Sequence, residues 1–282
     1  MARIAIVTDS TADLPADIID DLGISVVPLN IRIGDRSYED RETITPEMFM
    51  QLLTTESGQA ITSAPSVGRF ATTYERLAET HDQILSIHIS SKLSGTYSSA
   101  CVARDLFVDG PEIVVLDSAS VTMGLGLAVI RAANLANAGA SLEEIQREVK
   151  RLLSRTHVIF LVDTLEHLRR GGRIGRAAEI IGSVLQLKPL LRIEEGIVVP
   201  QARTRTRARA VTGLRQLIDD LPEIEDAAIV YTAGADDIGL LADSLIPRLQ
   251  EDSVMISELS PVLAAHIGPK GLGVAIVEGE SA

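Results

Sequence analysis

The sequence has no tryptophan, and phenylalanine and tyrosine number four each in 282 residues. With 46% hydrophobic residues and only 3% aromatic, the interior has to be built from Ile, Leu, Val and Ala, which favours α/β packing. Cys101 is the only cysteine. That excludes a disulfide framework and a cysteine-rich metal site, and it fits a reducing compartment. Basic residues are outnumbered, 26 Lys and Arg against 39 Asp and Glu, for a net charge of −13. Such a chain is repelled by polyanions, whose binding needs clustered cations, so nucleic acid is excluded as a partner. Long apolar runs are also missing: the stretch at 125–130 stops at Arg131, short of the ~20 residues a membrane span requires. Ile4-Ala5-Ile6-Val7 runs straight into Asp9, too short for the apolar core of a signal peptide. The expected protein is soluble and cytoplasmic.

Motifs for several chemistries are lacking too. There is no Walker A segment and no G-x-S-x-G elbow, and none of the five histidines pairs at metal-ligand spacing, so neither a cofactor nor a metal is expected. His81, His88, His157 and His167 read as ordinary surface or core residues. His266 precedes the Gly/Pro loop Gly268-Pro269-Lys270-Gly271, a place where backbone can approach another group closely.

What is present is an alternation of short apolar strands with helices over a length suited to one large or two ordinary domains. Strands are expected at 3–7, 24–33, 84–89, 113–116 and 158–162. Helices intervene, among them one capped by Ser66 and one opened by the capping box Ser141-Leu142-Glu143-Glu144. After Asp163 the chain turns to a basic, Gly-rich loop, Arg169-Arg170-Gly171-Gly172-Arg173, and a helix is expected at 177–187. Then comes a hairpin around Glu194-Glu195-Gly196, followed by further helices and strands of a mixed sheet. The expected architecture is two α/β domains, 1–162 with a parallel sheet flanked by helices and 163–282 with a mixed sheet and helices, and a ligand cleft between them.

Four strand ends in the first half are rich in hydroxyls: Thr8-Asp9-Ser10-Thr11, Thr62-Ser63-Ala64-Pro65-Ser66, Ser94-Gly95-Thr96 and Asp117-Ser118-Ala119-Ser120. In one parallel sheet all four would lie along one edge. Hydroxyls and helix-start N–H groups there would suit a carboxylate or phosphate, and they also serve as helix caps. Arg203, Arg205, Arg207 and Arg209 would share one face of a strand but split between the faces of a helix, and otherwise form a solvated basic edge.

Read together, these segments resemble the DegV family of bacterial fatty-acid-binding proteins. Thr8-Asp9-Ser10-Thr11-Ala12-Asp13-Leu14-Pro15 is similar to the family's opening D-S-T-x-D-L-P, and Thr62-Ser63-Ala64-Pro65-Ser66 to its T-S-Q-P-S turn, with Ala64 in place of Gln. Leu93-Ser94-Gly95-Thr96-Tyr97-Ser98-Ser99-Ala100, the segment from Thr164 to Ile174, and His266-Ile267-Gly268-Pro269 resemble three further motifs, with Lys270 where Gly is usual. The resemblance implies one fatty acid held between two α/β domains, its carboxylate on Thr62 and Ser94 with Ser63, the Gly95 N–H and His266 nearby, and its tail in an apolar tunnel. It also implies a non-catalytic carrier subunit for a separate ATP-binding fatty-acid kinase that makes an acyl phosphate for phospholipid synthesis. Arg205, Arg173 and His266 would serve phosphoryl transfer and docking. The arginine patch would also suit brief contact with a membrane surface. The alternative is a Ser94- or His266-dependent enzyme on a small carboxylate or acyl substrate, disfavoured because the Ser94 motif contains no base or orienting acid.

Overall fold

The structure is a computed structural model, and it describes residues 2–55, 60–107, 110–180, 187–249 and 254–280. The chain opens with β1 (Ile4–Asp9), a 3-10 turn at Ser10–Ala12, α1 (Ala16–Leu22) and β2 (Ser25–Val27). A small excursion follows: β3 (Asn30–Ile33), β4 (Arg36–Glu39), α2 (Pro46–Thr55) and β5 (Ala60–Ser63). Alternation resumes with α3 (Val67–Ala78), β6 (Gln83–His88), α4 (Thr96–Arg104), β7 (Glu112–Asp117), α5 (Met123–Asn137) and α6 (Leu142–Ser154). The remainder runs β8 (Thr156–Leu161), α7 (Glu166–Arg170), β9 (Leu190–Glu194), β10 (Ile197–Ala202), α8 (Arg207–Asp219), β11 (Ile224–Tyr231), α9 (Ile238–Leu245), β12 (Met255–Glu258), α10 (Pro261–Ile267) and β13 (Leu272–Glu278).

As expected, the fold is α/β, with a parallel sheet in the order β2-β1-β6-β7 and a mixed sheet in the order β10-β9-β8-β13-β11-β12. Strand alternation sorts the parallel sheet's side chains between two layers. Ala5, Val7 and Ile84 pack with Phe70 and Tyr74 of α3 and Ala100 of α4, while Ile6, Leu85 and Ile87 face α5. The mixed sheet does the same: Val158, Phe160, Val230 and Val277 look toward α5, and Ile159, Ile229 and Ile276 toward α8 and α9. Helix α5 therefore lies between the two sheets, and nine of its residues are buried. Gly124 and Gly126 allow the close fit, because a Cβ would come within 2.3 Å of Val158 Cγ2 at the first and 2.6 Å of the Ala12 carbonyl at the second.

Local signals formed the expected elements where the whole signal was local. Ser141 and Glu144 form the reciprocal capping box, Ser66 caps α3 by accepting from the Arg69 N–H, and the β9–β10 hairpin turns through Glu195 and Gly196, both at positive φ.

Three strand expectations are corrected. The strand expected at 24–33 is two strands, because Pro28 falls between β2 and β3 and brings no N–H for a ladder. The Thr62 strand, β5, pairs antiparallel with β3 in a third sheet of order β4-β3-β5, so its hydroxyls do not share the parallel sheet's edge. The strand expected at 158–162 to close the first half is β8, and it pairs with β9 and β13 inside the mixed sheet. Of the helix expected at 177–187, Gly175–Ile180 is a 3-10 turn, and 181–186 lie outside the described residues.

Candidate functional site

A cavity lies between the parallel and mixed sheets, and together with the solvent-open space at its mouth it spans about 850 Å³. Its walls are mostly aliphatic, including Ile89, Leu93, Val121, Val158, Val230 and Leu263, and Phe160 adds an aromatic ring. The polar lining is Thr62, Ser63, Ser94, Thr122, Arg173 and His266. Such a site can hold a long apolar body with one polar end.

Thr62 and Ser63 arrive on the edge strand β5, and Ser63 sits opposite Asn30 in register. Thr62 Oγ1 is 2.8 Å from His266 Nε2. Ser94 precedes the start of α4, where its Oγ lies 2.8 Å from Thr96 Oγ1 and accepts weakly from the Thr96 N–H at 3.4 Å. Gly95 is the N-cap of α4 but does not line the cavity. Its Cα faces Ala64, with 3.7 Å between a built Cβ and the Ala64 Cβ. Arg173 Nε donates to the Leu93 carbonyl at 2.9 Å and Nη1 to that of Gly171 at 2.7 Å, which fixes a cation beside His266. Burial, and then the charge of Arg173, pull the His266 imidazole down to about 4, so it is neutral at physiological pH.

Of the expected site residues, the structure thus brings together Thr62, Ser63, Ser94, His266 and Arg173, with Gly95 just behind. Arg205 is exposed on the loop before α8 and does not line the cavity. The four arginines share no strand face. Arg207 and Arg209 begin α8, and Arg207 is held by Asp237 and the Lys270 carbonyl. Lys270 stands at φ +60°, a left-handed conformation that explains why glycine suits this position.

The other hydroxyl-rich turns serve the scaffold. Asp9 Oδ1 accepts from the Thr11 N–H and hydroxyl, and its Oδ2 from the Ile89 N–H. Ser90 donates to the Gly196 carbonyl at 2.8 Å, which docks the β9–β10 hairpin on the parallel sheet. Ser118 and Ser120 bond within their own turn. Asp9, His88, Ser86 and Tyr74 form a continuous chain, with His88 3.0 Å from Asp9 and 2.6 Å from Ser86, and Tyr74 donating to Ser86 at 2.8 Å. The first three have the order of an acyl-transfer triad, yet all four are fully buried and none lines the cavity, so no substrate reaches them.

Sequence reasoning passed over the residues that aim α10. Asp13 and Asp40 are buried, and each caps the N-terminal end of this helix. Ser260 N–H donates to Asp13 Oδ1 at 2.8 Å, and Val262 N–H to Asp40 Oδ1 at 3.3 Å. Ser10 donates to Asp40 Oδ2 at 2.7 Å and Thr122 to Asp13 Oδ2 at 2.6 Å. Burial pushes both carboxyls up, each to about 6, against the opposing pull of Arg41 and, at Asp40, of Ser10. The bond to Asp13 also holds Thr122 at φ 51° and ψ −145°, a conformation costing a β-branched residue on the order of 1–3 kcal/mol. Asp13 lies within the opening motif and could have been singled out. Asp40 and Arg41 carry no local signal.

Comparison with known proteins gives a consistent result. The model of the DegV family, described as uncharacterised proteins, matches residues 3–279. A DegV domain-containing protein of Streptomyces coelicolor is 39% identical over 97% of this chain and 98% of its own. Among solved structures, one described as fatty acid binding of a DegV family protein from Thermus thermophilus superposes with TM-score 0.89 at 36% identity, covering 98% of this chain and 100% of that one. DegV from Bacillus subtilis, described as a fatty acid binding protein, superposes with TM-score 0.89 at 30% identity over 99% and 100% of the two chains. With motif, fold and near-complete coverage in agreement, the chain belongs to the DegV family.

Proposed function

We propose that the protein is a carrier of a long-chain fatty acid, with the tail in the aliphatic cavity and the carboxylate at Thr62, Ser63 and Ser94, near the start of α4. The observation that carries this reading is the cavity's asymmetry: hydroxyls, one arginine and one neutral histidine among walls of Ile, Leu and Val. Each methylene moved out of water contributes roughly 0.8 kcal/mol, so a long tail offers on the order of ten kcal/mol. Hydroxyls receive the head group without a fully desolvated ion pair, whose burial is costly. The similar proteins described as fatty acid binding support the same reading. Lipid extraction of the purified protein with mass spectrometry should find about one long-chain fatty acid per chain. An empty protein that also fails to load one in vitro overturns the proposal.

The carrier does no chemistry of its own in this reading. It presents the carboxylate to a separate ATP-dependent kinase in the cytoplasm, and the acyl phosphate feeds phospholipid synthesis. Arg205, exposed on an otherwise acidic chain, then belongs to the surface that meets the kinase, or a membrane during acyl exchange, and not to the ligand. Arg205→Ala is expected to slow kinase-coupled turnover about tenfold, as loss of a steering charge does, with fatty-acid affinity unchanged. An equal loss of both places Arg205 in the ligand site instead.

A further inference from the structure

The β9–β10 hairpin leaves its sheet before it ends. β9 pairs with β8 through Leu190, Leu191 and Arg192 and then parts from it, whereas β13 accompanies β8 to Thr156. Residues 193–198 are paired with each other, Val198 opposite Ile193 and Ile197 opposite Glu194. Ile193 and Val198 line the cavity. The tip reaches the parallel-sheet half, where Gly196 is buried so tightly that a Cβ built on it would lie 2.3 Å from Ser90 Oγ and 3.4 Å from the Ala119 Cα. Among the described residues one hydrogen bond fastens the tip there, from Ser90 Oγ to the Gly196 carbonyl at 2.8 Å. The root has a joint of its own. The register slips between Pro200 and Ala202, leaving Gln201 as an extra residue, and a bulge beside a proline is where a strand bends.

We propose that residues 193–198 are a strap across the cavity, hinged at the Gln201 bulge and latched at Ser90, and that a fatty acid enters and leaves as the strap lifts. The cargo rests on the fatty-acid reading, whereas the strap does not. Glu195 and Gly196 both have positive φ, the tight turn that matches the twist of a hairpin, so the tip moves as one piece. Its socket stays behind. The Ser90 N–H donates to the Ser120 carbonyl, and the Ser90 carbonyl accepts from the Leu93 and Ser94 N–H groups. With the strap lifted, Ser90 Oγ still accepts from the Lys92 N–H and water takes the place of the Gly196 carbonyl, so the latch is one exchangeable hydrogen bond. The turn at Gly175–Ile180 lies along β10, with a Cβ built on Gly175 2.4 Å from the Val198 carbonyl oxygen, and it travels with the strap.

Hydrogen exchange of the full-length protein without ligand tests the strap itself: the amides of 193–198 should exchange roughly tenfold faster than those of β13, as a locally opening segment does. Equal protection overturns the proposal whatever the protein binds. Release of bound palmitate to excess albumin tests the passage. In Ser90→Ala it should run about fivefold faster, the factor for one lost hydrogen bond, and an unchanged rate overturns the latch. Ser90→Cys with Gly196→Cys, in Cys101→Ser protein, closes the latch covalently, because the built Cβ of Gly196 lies 3.3 Å from that of Ser90, near the spacing a disulfide spans. Oxidised, this protein should hold palmitate about tenfold longer than when reduced. Equal release in the two states means that the acid leaves by another route. If the cysteine pair does not fold or oxidise, hydrogen exchange and Ser90→Ala still decide. Fast strap amides in a protein that takes up no palmitate leave the strap standing and refute the fatty-acid reading instead.

Discussion

Replacing Thr62 with Val and Ser94 with Ala in one chain will weaken fatty-acid binding about a hundredfold, with each single change giving about tenfold. Both hydroxyls line the polar end of the cavity, and each lost donor strands a carboxylate oxygen at a cost of roughly 1–3 kcal/mol. Valine matches threonine in shape, so the first change removes a polar group and opens no void. The Ser94 hydroxyl bonds only to Thr96 among the described residues, so the fold should persist, which circular dichroism can check on the same samples. Isothermal titration with palmitate reads the affinities. Wild-type binding by the double variant would show that these hydroxyls cap and pack, and that the carboxylate sits elsewhere.

Asp13→Ala will destabilise the protein by about 3–5 kcal/mol, the range for removing one partner of a buried charged network. The carboxylate is fully buried and accepts from Thr122, Ser260 and Arg41, while its backbone carbonyl accepts from Ser257. Alanine leaves a hydroxyl and an N–H without their acceptor and removes the counter-charge of Arg41, whose Nη2 keeps only the Glu258 carbonyl. Asp13→Asn keeps an acceptor and should lose less than half as much. Urea unfolding reads the difference as a shift in midpoint at constant slope.

The same carboxylates give stability a definite pH dependence. Asp13 and Asp40 rise from 3.8 to about 6 on folding, so the folded chain binds protons more tightly than the unfolded one. Their stabilising contribution is full below 3.8 and is lost as pH rises through 6. His266 falls from 6.5 to about 4 and acts in the opposite sense, losing stability as pH drops through that window. In a His167→Gln, His266→Gln double variant the carboxyls act without the two imidazoles that oppose them, His167 being pulled down as well by burial and the charge of Arg170. Its melting temperature should therefore rise as pH falls from 7 to 5, and a fall would refute the assignment.

The elements that were legible in the sequence are those whose cause is local. The capping box at Ser141 and the cap at Ser66 each sit within a few residues of the bond they make. The cavity's polar residues were legible as a motif set, because Thr62, Ser94, Arg173 and His266 each stand in a recognisable segment. What could not be read is pairing between distant segments. An apolar strand such as β8 after two helices looks like another parallel strand, and only its antiparallel neighbours β9 and β13, far along the chain, show otherwise. The division of labour among hydroxyls was hidden for the same reason. Ser10 and Thr122 look as available as Ser94 until Asp40 and Asp13 are seen to consume them.

The place of α5 determines how this cavity can open. A helix pressed by a sheet on either side is a shared wall and leaves no hinge line between the two layers. Swinging one sheet away would return several of its buried aliphatic side chains to water, at roughly 1.5–3 kcal/mol apiece. The small sheet β4-β3-β5 is built differently, with Ile31, Ile33, Ile44 and Phe49 in a core of its own that leans on Val262 and Ala264 of α10. The aliphatic wall and the polar end of the cavity are thus carried by separate layers, with Thr62 and Ser63 on the small sheet.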